Sequence, residues 1–163
     1  MSKKFMLIAG LLFAIVLTST LGIAFANGAF VEKKEKPSDY KIGVTYEKAL
    51  EAQDKPMLAL FYVDWCGYCL RFMPKYKVIE SLYGKKFNFV MLNAENPENE
   101  DLVKSVALTG FPTLYIIDPR YDNRVLLNNG IYHDLPKMKT ELNRYLRIRK
   151  LLDKASAMDE DKD

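Results

Sequence analysis

Hydrophobic positions along the chain follow two patterns, one typical of strands and one typical of helices. Residues 57–63 (MLALFYV) are continuously apolar over the length of a strand, which indicates a strand buried on both faces beneath helices. Residues 87–92 (FNFVML) predict a second strand. Residues 114–117 and 124–127 predict two further strands, and the Pro, Asp and Asn residues between them favour an antiparallel hairpin.

Helical patterns alternate with these strands. Four helices are predicted, over residues 45–53, 66–82, 98–108 and from 134 onward. Thr45 and Asp134 have side chains that can cap the first and the last of these helices. The last helix carries apolar residues on one face: Met138, Leu142, Tyr145 and Leu146. This order of elements predicts an α/β sandwich in which helices flank a central sheet.

The N-terminal segment has the pattern of an export signal. Residues 1–26 contain two early lysines, an apolar run over 5–17 and the small-x-small sequence AFA at 24–26, so we expect cleavage after residue 26. The alternative is an uncleaved membrane anchor, because positions 6 to 30 carry no charge. The domain is therefore expected in an oxidising compartment, periplasmic or secreted, or anchored in a membrane and facing the periplasm.

Charge patterns mark the boundaries of the folded part. Residues 27–39 are charged and without apolar periodicity, which predicts a linker. Residues 40–152 are expected to form one domain of ordinary size, and residues 153–163 a charged, solvated tail.

Composition and charge exclude several classes of protein. With 163 residues, 49% hydrophobic and 28% charged, the chain is neither collagenous nor of low complexity nor wholly disordered. The net charge is +3, but Lys3 and Lys4 lie in the N-terminal segment, and the other 22 of 24 basic residues nearly balance 21 acidic ones. We therefore expect no binding to nucleic acid.

The two cysteines carry the candidate chemistry. Cys66 and Cys69 are accompanied by a single histidine, His133, so one chain cannot form a zinc site of four Cys or His ligands, and we expect neither metal nor cofactor. The predicted helix start directs free N–H groups and the positive end of its dipole toward Cys66, which favours a nucleophilic thiolate. Cys69, one turn later, is expected to be more buried and to act as the resolving thiol.

Two other uses of the pair stay open on this basis, a structural disulfide and a metal-carrying pair. A disulfide between Cys66 and Cys69 closes a very short loop and stabilises little, which favours a reactive role. We expect no function for His133, which lies before the last predicted helix.

Several motifs are spaced along residues 40–152. A predicted buried strand leads into WCGYC, Pro74 lies in the following helix, LNAENPEN follows the next strand, and Gly110-Phe111-Pro112-Thr113 precedes the hairpin. With these motifs, residues 40–152 resemble proteins of the thioredoxin fold. The resemblance implies a thioredoxin-like sandwich with a central mixed β-sheet, and a thiol-disulfide oxidoreductase with Cys66 and Cys69 as catalytic residues. It also implies a cis Phe111–Pro112 bond facing the cysteines, with the Phe111 backbone pairing to an extended substrate segment.

The residues expected to bind substrate surround these two motifs. They are Trp65, Gly67, Tyr68, Phe111 and Pro112. Exposed aromatic rings in such a set provide an apolar docking surface for extended chains. Tyr62 and Phe72 are aromatic as well, but we interpret both as core residues.

The sequence departs from the thioredoxin pattern at a buried ion pair. Thioredoxins usually bury an acid six positions before the first cysteine and a lysine on the neighbouring strand, and the matching residues here are Leu60 and Met91. The double replacement is physically coherent, because a buried acid without its partner is costly. Proton transfer to Cys69 must then use water or a group at the rim such as Asp64, for which a purely structural role is the alternative.

The expected function is dithiol-disulfide exchange with exported proteins that contain cysteines or disulfides. A membrane-bound redox donor or acceptor is a candidate second partner. The Gly-Tyr dipeptide between the cysteines, also found in periplasmic disulfide isomerases, does not set the direction, since redox poise varies widely in this fold. No dimerisation domain precedes the fold, so a monomer is expected. The alternative is a non-catalytic binding or metal-carrying module on the same fold.

Overall fold

A computed structural model describes residues 35–106 and 108–160. The helices are α1 (Tyr46–Ala52), α2 (Gly67–Tyr83), α3 (Glu100–Ser105), α4 (Asn129–Tyr132) and α5 (Leu135–Glu160). The strands are β1 (Met57–Tyr62), β2 (Asn88–Asn93), β3 (Thr113–Asp118) and β4 (Asn123–Leu127). Short 3-10 turns occur at Pro37–Asp39, Pro97–Asn99 and Pro119–Tyr121. The predicted signal segment, residues 1–26, lies outside the described residues.

The strands form one mixed sheet in the order β2-β1-β3-β4. β1 pairs with β2 in parallel and with β3 antiparallel, and β3 and β4 form the antiparallel hairpin that the sequence predicts. The α/β sandwich with a central mixed sheet is therefore confirmed. In the described part of the chain, no helix combines the length and apolarity needed to span a bilayer.

Both faces of β1 are buried, as its continuous apolar run predicts. Leu58 and Leu60 pack with residues of α2 and α5 on one face of the sheet. Met57 and Phe61 pack on the other face with Ala49 of α1. Because side chains alternate along a strand, this single run supplies both cores and fixes the register of the central strand.

Leu60 and Met91 are neighbours at the place where the resemblance implies a buried acid and its lysine. They are register partners on the parallel strands β1 and β2. Leu60 is fully buried, and the half-buried Met91 packs against the cluster that contains both cysteines. An apolar pair therefore occupies this position.

The third predicted helix is shorter than its pattern indicates. Residues 98–108 divide into the 3-10 turn at Pro97–Asn99 and the short helix α3, which ends at Ser105. Val106 has extended backbone angles and is buried in the cluster with Tyr115 and Ile117. Packing against the sheet thus ends the helix.

The predicted linker and tail both contain ordered structure. Within residues 27–39, the turn at Pro37–Asp39 is ordered and Pro37 is buried. At the other end α5 continues through residues 153–160, which the charge pattern assigns to the tail. Asp153 connects the start of this extension to the turn after β3, since its carboxylate accepts a hydrogen bond from the Tyr121 hydroxyl at 2.5 Å and lies 3.6 Å from the Arg120 guanidinium.

A buried ion pair connects α5 to the end of β3. Asp118 is fully buried, and its carboxylate accepts hydrogen bonds from Arg149 Nε at 2.8 Å and from the Tyr145 hydroxyl at 3.3 Å. Arg149 Nη1 also donates to the carbonyl of Asp54 at 3.1 Å. Burial, with the Asp118 charge next in importance, raises the pKa of Tyr145 well above its ordinary value.

We expect Asp118→Ala to lower the free energy of unfolding by about 3–5 kcal/mol, because it leaves the Arg149 charge buried without its partner. Urea denaturation at pH 7 measures this change. Glu100→Ala is the matched control, because it removes an exposed ion pair with Lys104. It should lower the free energy of unfolding by less than about 0.5 kcal/mol. Equal losses in the two variants would contradict the role assigned to the buried pair.

We expect Leu60→Asp to lower the free energy of unfolding by about 2–4 kcal/mol at pH 7, because it buries a carboxyl group without a cation. Burial raises the pKa of the introduced carboxyl in the folded state. The difference in free energy of unfolding between Leu60→Asp and the wild type should therefore be smallest below about pH 4 and grow as the pH rises.

Urea midpoints at pH 3.5 and pH 7 test this dependence on pH. Leu126→Asp, at an exposed position of β4, is the control and should cost no more than about 1 kcal/mol. A midpoint unchanged by Leu60→Asp would refute the burial of this position.

Candidate active site

The cysteine pair lies where β1 passes into α2. Cys66 has extended backbone angles and is the N-cap of α2, and its N–H donates to the carbonyl of Val63 at 3.1 Å. Its Sγ accepts a hydrogen bond from the Cys69 N–H at 3.1 Å. The sulfur thus satisfies a free donor of the first helical turn, and both this bond and the helix dipole favour negative charge on Cys66.

Cys66 and Cys69 form a disulfide, with their Cα atoms 5.2 Å apart. Cys66 retains 7% exposure, whereas Cys69 is fully buried. An incoming thiolate therefore reaches the Cys66 sulfur first, and after reduction Cys66 is the thiol that faces solvent. The greater burial of Cys69 is as the sequence predicts, and the roles of nucleophile and resolving thiol stay predictions.

The loop before β3 lies against the exposed sulfur. The carbonyl oxygen of Phe111 is 3.6 Å from Cys66 Sγ, and the Phe111–Pro112 peptide bond is cis. The Thr113 hydroxyl donates to the Gly110 carbonyl at 2.7 Å, which holds the loop on its N-terminal side. Phe111 is half-buried and Pro112 is buried, so backbone groups form much of this surface.

Two large aromatic side chains are exposed beside the disulfide. Trp65 is 73% and Tyr68 68% exposed. The indole N–H of Trp65 donates to Glu95 at 2.8 Å, and the Tyr68 ring lies 4.5 Å from the Arg71 guanidinium. The Trp65 indole N–H is therefore paired while its ring stays exposed, and the Arg71 guanidinium lies over one face of the exposed Tyr68 ring.

The other predicted residues near the site differ in exposure. Gly67 is exposed at the first position of α2. Tyr62 and Phe72 are buried, in agreement with the core role predicted for both. Burial raises the pKa of Tyr62, with a smaller contribution from the charge of Asp64.

Asp64 is held by the segment that precedes the predicted domain. The N–H of Ser38 donates to Oδ1 at 3.1 Å, its hydroxyl donates to Oδ2 at 2.9 Å, and the Lys36 ammonium lies 3.5 Å from Oδ2. Lys36 and Ser38 were not predicted as residues near the site, because both lie in the predicted linker. The one local signal is Pro37 followed by Ser and Asp, which is typical of a turn.

His133 lies after α4, away from the cysteine cluster. Its ring packs against Phe72 and Tyr132, and its carbonyl contacts the Lys75 ammonium. Burial and the charge of Lys75 lower its pKa. Among the described residues, no group of three or more His, Cys, Asp or Glu side chains is arranged to hold a metal ion.

Part of the chain is similar in sequence to a protein disulfide-isomerase and to a thioredoxin-like protein. The chain is 31% identical over 84 residues to protein disulfide-isomerase A3 of Gallus gallus, covering 52% of this chain and 16% of that protein. It is 38% identical over 73 residues to the chloroplastic thioredoxin-like protein HCF164 of Arabidopsis thaliana, covering 45% of this chain and 28% of that protein. The match therefore spans less than a third of either relative.

Solved thioredoxin structures share the fold. Deadhead, a thioredoxin of Drosophila melanogaster, superposes with a TM-score of 0.52 at 23% identity, covering 63% of this chain and 99% of that chain. A thioredoxin of Trypanosoma brucei brucei superposes with a TM-score of 0.50 at 18% identity, covering 68% and 96%. The Thioredoxin family model matches residues 39–128, more than half of the chain, and includes both cysteines and Pro112. The chain belongs to the thioredoxin family.

Proposed function

We propose that this protein is a thiol-disulfide oxidoreductase that exchanges the Cys66–Cys69 dithiol and disulfide with cysteines of exported partner proteins. The observation that carries the proposal is the disulfide at the start of α2, with one sulfur at the surface beside Phe111 and the other fully buried. A structural disulfide needs no accessible sulfur, whereas exchange through a mixed disulfide requires one sulfur that a partner can reach.

The reaction in the reducing direction has two steps. The Cys66 thiolate attacks a partner disulfide, forming a mixed disulfide and releasing one partner thiolate. The Cys69 thiolate then attacks Cys66 Sγ, which closes the Cys66–Cys69 disulfide and releases the second partner thiolate. Two electrons pass to the partner, and the opposite sequence oxidises a partner dithiol. The reduction potential of the pair sets the net direction.

Deprotonation of Cys69 must proceed without a buried base at the Leu60 and Met91 positions, because both side chains are apolar. Water or Asp64 is the proposed proton acceptor. Asp64 lies two residues before Cys66 at the rim, where Ser38 and Lys36 hold its carboxylate. These contacts limit its movement, so a proton would pass between Asp64 and the resolving thiol through water.

The proposed docking surface consists of Trp65, Gly67, Tyr68, Phe111 and Pro112. An extended partner segment pairs with the backbone of Phe111, and the exposed rings of Trp65 and Tyr68 cover its side chains. This arrangement recognises the main chain more than particular side chains, which suits a protein acting on many partners.

Exported proteins with cysteines or disulfides are the proposed substrates, and a membrane-bound redox protein is the proposed donor or acceptor. The proposed location is periplasmic or secreted, or anchored and facing the periplasm, since the sequence of residues 1–26 is typical of an export signal. We propose that the protein acts as a monomer.

A second candidate function is a binding module that holds its partner without turnover. The apolar Leu60 and Met91 favour it, because they replace the groups that assist the second thiol in thioredoxins. Turnover and its dependence on Cys66 separate the two candidates.

We expect the wild-type protein to accelerate the reduction of insulin disulfides by dithiothreitol, with Cys66→Ser returning the rate to that of dithiothreitol alone. Turbidity of the released insulin chains follows the reaction. Met158→Ser, at an exposed position of α5, is the control and should keep the wild-type rate. Stoichiometric binding without turnover, surviving Cys66→Ser, would support the binding module instead.

We expect Cys69→Ser to accumulate mixed disulfides with exported proteins, because the attacking thiol remains and the resolving thiol is lost. High-mass bands on non-reducing gels that collapse with dithiothreitol measure this. Cys66→Ser should give few such bands, since the buried Cys69 does not reach a partner. Trapping by Cys66→Ser alone would reverse the assigned roles. Equal trapping by both variants would remove the distinction between them.

A further inference from the structure

We propose that Tyr132 is a positioning residue for partner docking, because its hydroxyl holds the carbonyl of Pro112 and so fixes the loop on which Phe111 meets the partner. This inference rests on the proposed function and extends it to a residue of α4. Tyr132 is fully buried, and its hydroxyl donates to the Pro112 carbonyl at 2.7 Å.

The loop is held on both sides of Phe111. The Thr113 hydroxyl binds the Gly110 carbonyl and the Tyr132 hydroxyl binds the Pro112 carbonyl, each at 2.7 Å. Between them, the Phe111 carbonyl lies 3.6 Å from Cys66 Sγ. The two hydroxyl groups thus fix the peptide groups that an extended partner would pair with, while neither of them contacts a sulfur atom.

The Tyr132 ring connects the same loop to the cysteine helix. It packs edge-on against Phe72 of α2, with the ring centres 5.4 Å apart. Phe72 is buried and lies three residues after Cys69. Tyr132 therefore contacts both halves of the site, the helix through its ring and the loop through its hydroxyl, and this fixes their spacing.

Asn129 orients the Tyr132 hydroxyl from the surface. Its side-chain amide contacts the phenol oxygen, and Asn129 itself is exposed. The contacting amide atom is Asn129 Oδ1, which is an acceptor, so the one hydrogen of the Tyr132 hydroxyl is shared between Oδ1 and the Pro112 carbonyl. Burial raises the pKa of Tyr132, so its hydroxyl keeps this hydrogen across the neutral range.

A residue that acts by holding the docking loop affects large and small substrates differently. A partner protein pairs with the Phe111 backbone and needs the loop in one position. A small disulfide such as Ellman's reagent needs only the Cys66 thiolate and access to it. Loss of the Tyr132 hydroxyl should therefore weaken reaction with proteins and leave reaction with the small reagent unchanged.

The test compares Tyr132→Phe with Tyr76→Phe in the full chain. Tyr76 is a matched control because it is also fully buried, and its hydroxyl donates to the carbonyls of Leu58 and Val90 within the sheet. Both changes remove one buried hydroxyl and keep the ring. We expect Tyr132→Phe to lower kcat/KM for insulin about 5- to 10-fold, mainly through KM. The rate of the reduced protein with Ellman's reagent should stay within about twofold of wild type.

The outcome depends on the ratio of kcat/KM for insulin to the rate of reaction with Ellman's reagent. Tyr76→Phe should leave it at the wild-type value even if its thermal midpoint falls. An unchanged ratio in Tyr132→Phe, or an equal change in Tyr76→Phe, would overturn the inference while the proposed function stands. A wild-type protein without cysteine-dependent insulin reduction would overturn both.

Asn129→Ala provides a second test that avoids the core. Its exposed position keeps the fold intact even if Tyr132→Phe does not fold. The Tyr132 hydroxyl then has the Pro112 carbonyl as its one remaining acceptor among these two, so KM for insulin should fall about two- to threefold with the Ellman's rate unchanged. An unchanged KM in Asn129→Ala, with Tyr132→Phe unfolded, would overturn the inference.

Discussion

The junction between a fully buried strand and the start of a helix is the constraint on which this site depends. β1 is buried on both faces, so its end cannot shift without disturbing two cores. The helix that follows begins at Cys66, whose sulfur accepts the Cys69 N–H. The buried run therefore positions the sulfur, and the helix start makes negative charge on it favourable. Other parts of the site are arranged around this point.

Three segments distant in sequence complete the site, and each contributes through backbone or hydroxyl groups. The Phe111 carbonyl lies beside Cys66, Tyr132 holds the adjacent Pro112 carbonyl, and Ser38 holds Asp64. In the proposed docking, few side chains contact the partner directly, mainly the exposed rings beside the disulfide. Docking of that kind selects partners by an accessible cysteine and an extended chain, since pairing with the backbone does not depend on side-chain identity.

The apolar pair formed by Leu60 and Met91 has one energetic and one chemical consequence. Energetically, it avoids the cost of a buried carboxylate or ammonium group and packs well between the sheet and α2. Chemically, it leaves this interior position without a base, which is the reason that proton transfer is proposed at the rim, where Asp64 lies. A buried ion pair is found instead between Asp118 and Arg149, at the opposite end of β3 from the cis-proline loop.

The sequence by itself determined the strands and the helix that follows Cys66, because these follow from local periodicity. The resemblance to thioredoxins located the apolar pair of Leu60 and Met91, and the roles of Cys66 and Cys69 stay predictions. Tertiary structure decided the contact of Ser38 with Asp64, the hydrogen bond from Tyr132 to Pro112 and the extent of α5 to Glu160. Each of these joins residues far apart in the chain, or depends on such a contact. A local pattern of charge or polarity does not reveal such contacts, because they form only once the sheet and helices have packed.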